Sequence, residues 1–479
     1  MDELALGLDL GTTGVRVVAV DAAGKLIAEV THDYPLLTPR PGWTEQDPAA
    51  WKTATLQAIR DLNESLPPNK VVVLGLSGQM HGMVPLDSAG NVIRPAILWN
   101  DQRTEEAVIE LERAVPRPEL IARTGNPAIT GFHLPKLLWL RANEPEAYER
   151  TCHSLLPKDY VGYLLTGVMA AEPTDASGSN AFHLASKRWD TEVLNAVDVD
   201  PKLFPDLVAS DDIIGRLASE VAQLTGLPEG LPVVAGAGDN AAAAIGLGLS
   251  NSDPSIGSVS LGTSGVIFAP LTTATPDPEG RVHLFCHADG GYHLLGVTLA
   301  AAGSLRWYRD TFVPGGEYSA LIEAAASSPA GANGVTFQPY LAGERTPHMN
   351  PNLRGSFSGL SLATNKADTI RAVLEGVAFS LRDALDVMTP LAPLGRAVAT
   401  GGGSRSELWL QIIADVLQLP LLRSSSDQGA AYGAALLGLQ GVGLVEKAAE
   451  AARTDVENEF EPDTDTYLEP LKRYRVVNG

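Results

Sequence analysis

Leu8-Asp9-Leu10-Gly11-Thr12-Thr13-Gly14-Val15-Arg16 returns later in the chain as Val259-Ser260-Leu261-Gly262-Thr263-Ser264-Gly265-Val266-Ile267. Each copy reads as an apolar strand, a Gly-Thr-Thr/Ser-Gly turn and a second apolar strand (Val17 to Val20; Val266 to Ala269). That is a β-hairpin whose tip offers backbone N–H groups and hydroxyls without a bulky side chain, a shape suited to phosphate. Two such tips in two halves of one chain predict a polyphosphate gripped from both sides. The copies differ at one chemical position. Asp9 aligns with Ser260, so only the first tip carries a carboxylate able to hold a metal.

Working outward, the first half alternates strands and helices. Leu4 to Leu8, Val15 to Val20 and Leu26 to Val30 read as strands, with Ala23-Gly24 turning the second hairpin. Asp47-Pro48 opens a helix with Trp51, Thr55, Ala58, Ile59 and Leu62 on one stripe. Val71 to Leu76 is a β-branched run without alternation, hence a buried central strand, and it ends in Gln79-Met80-His81. Leu231 to Ala235 is a similar strand, followed by Gly236-Ala237-Gly238-Asp239-Asn240 and a small-residue helix over 241–246. Asn251 to Pro254 reads as the domain boundary.

The second half repeats the plan. A long amphipathic helix is predicted from Asp368 to Met388. Ala397 to Thr400 reads as a strand, Gly401-Gly402-Gly403 as a turn, and Ser404 to Leu417 as a helix with a Ser404/Glu407 capping box. The fold class is α/β, with domains over 1–250 and 251–440 and a charged, peripheral tail over 441–479.

The 479 residues are long enough for two domains, and 45% hydrophobic with 19% charged residues describes a packed globular protein. A net charge of −22 argues against nucleic acid as a partner. No apolar run approaches the ~20 residues of a membrane span. Two cysteines, Cys152 and Cys286, lack metal-ligand spacing and fit a reducing compartment. Met1-Asp2-Glu3 runs into a strand with no basic n-region. The expectation is a cytoplasmic protein with small-molecule partners. The oligomeric state, a homodimer included, stays open.

Each candidate residue carries two readings. Asp9 is a Mg²⁺ anchor acting through water, or an Asp that caps its own turn. Thr12, Thr13, Arg16, Gly262 and Thr263 follow the fate of the tips. Asp239 stands at the mouth of a parallel sheet, where it suits a general base or a helix cap. Met80 and His81 could cover and hydrogen-bond a sugar, or be a core Met and a satisfied His. Gly402 and Gly403 could admit a nucleotide at a helix start. Trp99-Asn100-Asp101 lines the same strand ends or is structural, and 343–348 is assigned no role beyond a polar, solvated loop.

These segments together resemble the carbohydrate kinase family that includes glycerol kinase. The resemblance runs from Leu6 to Gly438 and rests on Leu8 to Gly14, Gly78-Gln79-Met80-His81-Gly82, Ile97 to Asp101, Lys136 to Trp139, Gly238 to Ala242, Leu261 to Gly265, Gly343 to His348 and Gly401 to Glu407. Gln-Met-His-Gly looks like the xylulose kinases within that family; glycerol-kinase-like members carry an Arg-Glu pair there. The resemblance implies two ribonuclease-H-like (actin-like ATPase) domains with the active site in an inter-domain cleft. It implies transfer from ATP, with Mg²⁺, to the terminal hydroxyl of a ketose. By similarity Asp239 is the proton acceptor and Asp9 organises Mg²⁺. Gln79, Met80, His81 and Asn240 face the sugar. Thr12, Thr13, Arg16, Gly262, Thr263, Gly402 and Gly403 face the nucleotide. His133 stands where the family usually has Ser, Thr or Pro, and Thr369 where an apolar residue is usual. D-Xylulose is the expected sugar; D-ribulose or a deoxyketose are alternatives. An actin-like ATPase switch would share the tips but have no use for a sugar-facing element.

Overall fold

A computed structural model describes residues 3–424, 429–454, 456–463 and 465–478. The chain forms two compact units. One comprises Met1–Ser250, Phe285–Tyr292 and Gln428–Arg453; the other comprises Asn251–Leu284, His293–Asp427 and Thr454–Gly479.

The first unit is built on a six-stranded sheet. Its strands are β1 (Leu4–Leu10), β2 (Gly14–Asp21), β3 (Leu26–Asp33), β4 (Val71–Gly78), β5 (Ile213–Arg216) and β6 (Pro232–Gly238). Their spatial order is β5-β6-β4-β1-β2-β3. The hairpins β1–β2 and β2–β3 are antiparallel, whereas β1, β4 and β6 run parallel. Side chains alternate across β1. Leu4, Leu6, Leu8 and Leu10 enter a core with Trp51, Ile59 and Leu62 of the helix Pro48–Ser65. Ala5 points to the other face, with Val18, Val73, Val234 and the helices Asp239–Gly246 and Gly429–Gly441. Burial on both faces explains why these strands read as continuous apolar runs.

The helix Gly429–Gly441 lies hard against the sheet. A Cβ on Gly7 would stand 1.9 Å from the carbonyl oxygen of Ala431, and one on Gly75 would stand 1.9 Å from that of Ala434. Only glycine permits this approach.

The second unit repeats the plan with seven strands. They are β7 (Ile256–Leu261), β8 (Gly265–Leu271), β9 (His283–Cys286), β10 (Tyr292–Thr298), β11 (Arg396–Thr400), β12 (Leu421–Ser424) and β13 (Val456–Phe460). The order is β9-β10-β8-β7-β11-β12-β13, with β7–β8 antiparallel and β7, β11 and β12 parallel. The helix Lys366–Met388 carries the core, capped by an Asn365/Asp368 box. Both sheets have the ribonuclease-H-like plan expected from the sequence.

Three readings need correction. The predicted helix from Ser404 begins later. Gly402–Arg405 is a 3₁₀ turn, and Ser406 caps Glu407–Leu417 by accepting from the Trp409 N–H at 3.2 Å. Ser404 instead donates to the Gly401 carbonyl at 2.7 Å. The segment after Gly441 is not a peripheral tail. Ala448 and Ala449 join the core of the first unit. β13 extends the second sheet, and the helix Leu468–Asn478 buries Tyr474, whose hydroxyl meets that of Tyr340 at 2.7 Å. Its few apolar anchors are spaced too widely to show a period. The loop 343–348 is not simply solvated either, since Glu344 and Thr346 are buried.

No helix among the described residues is long and apolar enough to cross a membrane.

Candidate active site

In the first unit the site follows from strand register. Asp9 stands beside Ser77, Leu10 beside Gly78, and Gly78 beside Gly238. The Thr12 tip, the Gln79-Met80-His81 turn and Asp239 therefore leave the C-terminal ends of three adjacent parallel strands, the edge where α/β sheets bind ligands.

The tip is held by a polar chain. Trp99 Nε1 donates to the Thr12 hydroxyl at 3.0 Å, and that hydroxyl donates to Gln79 Oε1 at 3.3 Å. Gln79 Nε2 donates to Gln46 Oε1 at 2.9 Å, and Gln46 Nε2 donates to the Thr12 carbonyl at 2.6 Å. Gln79 is 2% exposed. One end of its amide meets Thr12 and the other meets Gln46, so the residue expected to face a sugar also braces the tip. Thr13 is exposed, and its carbonyl accepts from the Tyr34 N–H. Arg16 stands across the hairpin from Asp9. It lies on β2 and pairs with Glu29 of β3.

Asp9 and Asp239 form the electrostatic centre. Burial, then the nearby Asp239 charge, push the Asp9 carboxyl up to about 7; Arg16 acts in the opposite direction. Asp9 Oδ1 is buried and accepts no hydrogen bond from the described residues. Burial pushes Asp239 up to about 6, against hydrogen bonds from the Asn240 N–H (2.7 Å) and Nδ2 (2.8 Å). Two crowded carboxylates, one with an unused oxygen, fit a divalent cation that is otherwise held by water and phosphate oxygens. The described residues contain no group of three or more His, Cys, Asp or Glu arranged for a metal. Asp9, with its unused buried oxygen, is the residue here that could hold a divalent cation. Asp239 is the first residue of the helix Asp239–Gly246, with Gly238 in the cap position, so it does not serve as the N-cap.

His81 and Met80 adjoin this centre. His81 has φ +69°, its Nδ1 meets the Gly178 carbonyl at 2.7 Å, and its ring stacks on Phe132 at 4.4 Å. The Gly178 carbonyl can only accept, so Nδ1 carries a proton and donates to it. Met80 packs on Gly238, where any Cβ would come within 2.8 Å of it. Asn240 is spent on Asp239, which it orients.

Sequence reasoning missed the supports behind these groups. Lys136 Nζ donates to the His81 carbonyl at 2.6 Å and also to that of Gly131. Thr174 Oγ1 accepts from the Gly238 N–H at 2.9 Å and donates to Glu172 at 2.7 Å. Lys158 pairs with Asp159 at 2.7 Å and stands 3.7 Å from Glu172, all fully buried. Burial opposes the Lys158 charge, but the surrounding carboxylates, Asp159 first, outweigh it and hold it protonated. Lys136 opens one of the segments that carry the resemblance, but nothing in it announced this role, and Lys158, Asp159, Glu172 and Thr174 lie in no motif. His133, unusual for the family, fits by bridging the Gly82 carbonyl and the Ser154 hydroxyl, both at 2.8 Å. Burial keeps it neutral, pushed down to about 3. Thr369 is satisfied by the Tyr308 hydroxyl at 2.7 Å.

In the second unit a cavity of about 800 Å³ opens beside the second tip, and Gly262, Thr263, Gly402 and Gly403 are among its lining. Its size suits a small-molecule ligand, which takes roughly 300–1,000 Å³. The Thr263 carbonyl accepts from the Ala301 N–H at 2.9 Å and the Gly303 N–H at 3.2 Å, which joins the tip to the start of the helix Ala302–Phe312. Arg306 on that helix donates to the Thr263 hydroxyl at 3.4 Å. Tyr318, Ile322 and Trp409 supply apolar wall, and Trp409 is fixed by its Nε1 on the Leu374 carbonyl at 3.0 Å. Arg306 and Tyr318 were not legible in sequence, because nothing local marks a helix flank as cavity wall. Ser260, the counterpart of Asp9, offers no charge, so the anionic centre belongs to the first unit.

Residues 4–246 match the N-terminal domain of the FGGY family of carbohydrate kinases, and residues 257–441 match its C-terminal domain. A xylulose kinase from Escherichia coli (strain K12) is 41% identical over 439 residues, 90% of this chain and 89% of that protein. One from Bacillus subtilis (strain 168) is 38% identical over 451 residues, 93% of this chain and 90% of that protein. The crystal structure of ligand-bound xylulose kinase from Lactobacillus acidophilus superposes with a TM-score of 0.95 at 26% identity, covering 99% of this chain and 98% of that one. Sheet plan, paired tips and matches over both halves agree: this phosphotransferase belongs to the FGGY family of carbohydrate kinases.

Proposed function

We propose that the protein transfers the γ-phosphoryl group of ATP to the terminal hydroxyl of D-xylulose, giving D-xylulose 5-phosphate and ADP. The observation that carries this reading is the convergence of Asp239, Met80 and His81 at adjacent strand ends beside Asp9. The xylulose kinases among the relatives support the sugar.

Asp239 is the general base. Its carboxylate takes the proton of the sugar's terminal hydroxyl as that oxygen bonds to phosphorus and the bond to the ADP oxygen breaks. Asn240 fixes the carboxylate through two donors, and Thr174 fixes the backbone at Gly238. His81 hydrogen-bonds sugar hydroxyls, and Met80 covers an apolar patch of the ketose. The Thr12 and Thr263 tips and Gly402-Gly403 hold phosphates. Mg²⁺ on Asp9 supplies charge neutralisation at the transferring group when bound. The free cysteines fit a cytoplasmic enzyme.

The test is ADP release over a panel of ketoses, alditols and aldoses with a no-sugar control. D-Xylulose should give the highest kcat/KM. Preference for D-ribulose or a deoxyketose would replace the sugar. Turnover unaffected by every sugar would overturn the acceptor site altogether.

A further inference from the structure

The loop 343–350 belongs to the second unit and supplies none of the groups placed in the site above. It is closed by the Glu344 N–H on the Asn350 carbonyl (3.0 Å) and the Asn350 N–H on the Glu344 carbonyl (2.9 Å). Glu344 is buried and spends its carboxylate inside the protein, accepting from the Leu299 N–H (2.8 Å), the Arg345 N–H (2.8 Å) and the Ser380 hydroxyl (3.1 Å). Thr346 is buried too. Its N–H donates to the Val297 carbonyl at 2.9 Å, and its hydroxyl accepts from the Val297 N–H at 3.1 Å and donates to the Arg281 carbonyl at 2.8 Å. The residue between them, Arg345, therefore has its backbone pinned on both sides to the end of β10.

Its side chain is different. Arg345 is half-buried, and desolvation lowers its pKa from the ordinary arginine value. Yet among the described residues its guanidinium makes no ion pair and no side-chain hydrogen bond. Other strongly buried arginines have carboxylate partners: Arg94 and Arg103 share Glu45, and Arg371 pairs with Glu375. Among the described residues the charge that acts on Arg345 is that of Glu344, whose carboxyl burial raises to about 7 and which is already occupied. A partly desolvated guanidinium on so fixed a backbone, without a partner among the described residues, is suited to an anion that completes it.

The anchor points to the anion. Glu344 holds Leu299, and two residues on, the Ala301 N–H holds the Thr263 carbonyl. Two residues span at most about 7 Å. With the hydrogen bonds at each end, the Glu344 carboxylate lies within about 13 Å of the phosphate tip, and an arginine side chain next to it covers about half of that span. We propose that Arg345 is a phosphate-binding residue of the nucleotide site, its planar fork taking two oxygens of a phosphoryl group held at the Thr263 tip. This rests on reading that tip as a phosphate site. The shared chemistry is a phosphoryl oxygen pair, whose source is the nucleotide or a phosphorylated sugar.

The test compares the full-length wild type with Arg345→Gln and Arg345→Lys. Calorimetric titration uses adenosine, ADP, a non-hydrolysable ATP analogue, inorganic phosphate and D-xylulose 5-phosphate, with melting curves in each. Adenosine should bind all three proteins alike. Arg345→Gln should lose about 10- to 100-fold in affinity for the ATP analogue, the range of one hydrogen-bonded charge. Its kcat should fall while KM for D-xylulose holds. It should melt, free of ligand, no lower than wild type, because an unpaired charge has gone. Arg345→Lys should recover part of the loss by keeping the charge without the fork. Analogue affinity and kcat within twofold of wild type in Arg345→Gln would overturn the proposal. So would an equal loss of adenosine binding, or a ligand-free melting point several degrees lower in both variants, since either marks a structural role. A loss confined to D-xylulose 5-phosphate would overturn the nucleotide assignment. Wild-type protein that binds the analogue but turns over no sugar would sink the acceptor reading and leave the Arg345 comparison intact.

Discussion

Replacing Asp239 with Asn should cut activity and raise stability together, and the second effect depends on pH in a defined way. Asn keeps the shape. Its carbonyl oxygen can still accept from the Asn240 N–H and Nδ2, so the local hydrogen bonds survive. Basicity is lost, and general-base assistance is typically worth about 10²–10⁴ in rate. Stability follows from burial, which moves the carboxyl from 3.8 to about 6. A raised carboxyl binds more protons folded than unfolded, so wild-type stability falls as pH rises from about 4 to about 6 and is recovered below about 4. A carboxyl raised that far costs the folded state about 3 kcal/mol at pH 7.5 and about half of that at pH 5. Relief of the Asp9 charge adds to this. Asp239→Asn should therefore melt a few degrees above wild type at pH 7.5, with the gap narrowing at pH 5. The assays are ADP release under saturating sugar and melting curves at both pH values. Full kcat in the variant would refute the base. A lower melting point at pH 7.5 would refute the charged, crowded centre even if activity were lost.

The tips should prove unequal: Asp9→Asn is expected to lower kcat strongly and weaken its Mg²⁺ dependence, and Ser260→Ala to be much milder. Equal damage, in a Mg²⁺ titration of both variants, would undo the assignment of metal to the first unit. The pH profile of kcat/KM should show an acid limb near 6–7, set by the Asp9–Asp239 pair rather than by either group alone. An acid limb near 4 would mean that the centre is not desolvated in solution. Gly75→Ala should be destabilising by several kcal/mol, because its Cβ meets the Ala434 carbonyl at 1.9 Å and backbone must move. A melting point unchanged from wild type would show that the helix Gly429–Gly441 does not pack that closely.

The sequence made legible what is local. A hairpin tip, a strand end followed by Asp239, and the cap at Asp47 each declare themselves within a few residues. What depends on distant partners stayed hidden. Gln79 lies in a motif expected to face ligand, but its amide is fixed by Gln46 and Thr12, and no pattern links 46 to 79. The Lys158–Asp159–Glu172–Thr174 support reads as ordinary charged surface until the fold buries it. The return of Gly429–Gly441 to the first sheet was written only as two glycines, Gly7 and Gly75, in strands far up the chain. The misplaced cap at Ser404 had a different cause. Two serines two residues apart both satisfy a cap pattern, and the 3₁₀ turn that decides between them is set by packing.

The repeat explains how one plan yields two chemistries. In each unit the first strand enters a Gly-Thr tip, and the strand parallel to it ends directly alongside: β1 with β4, β7 with β11. The tips are nearly the same, as two phosphate grips should be. The neighbouring strand end has diverged. After β4 it carries Met80 and His81, braced by Phe132 and Lys136 into fixed polar and apolar surfaces. After β11 it carries Gly401-Gly402-Gly403, which leave open the wall of an 800 Å³ cavity. The strand residue ahead of the tip has diverged as well, Asp9 against Ser260. A carboxylate there is useful only where a second one, Asp239, makes a cation worth binding. Placed in the second unit, the same carboxylate would repel the phosphates proposed to lie at the Thr263 tip. On the proposed reading the duplicated strands supply the grip twice, and the side chains at two strand ends set which half would hold the acceptor and which the donor.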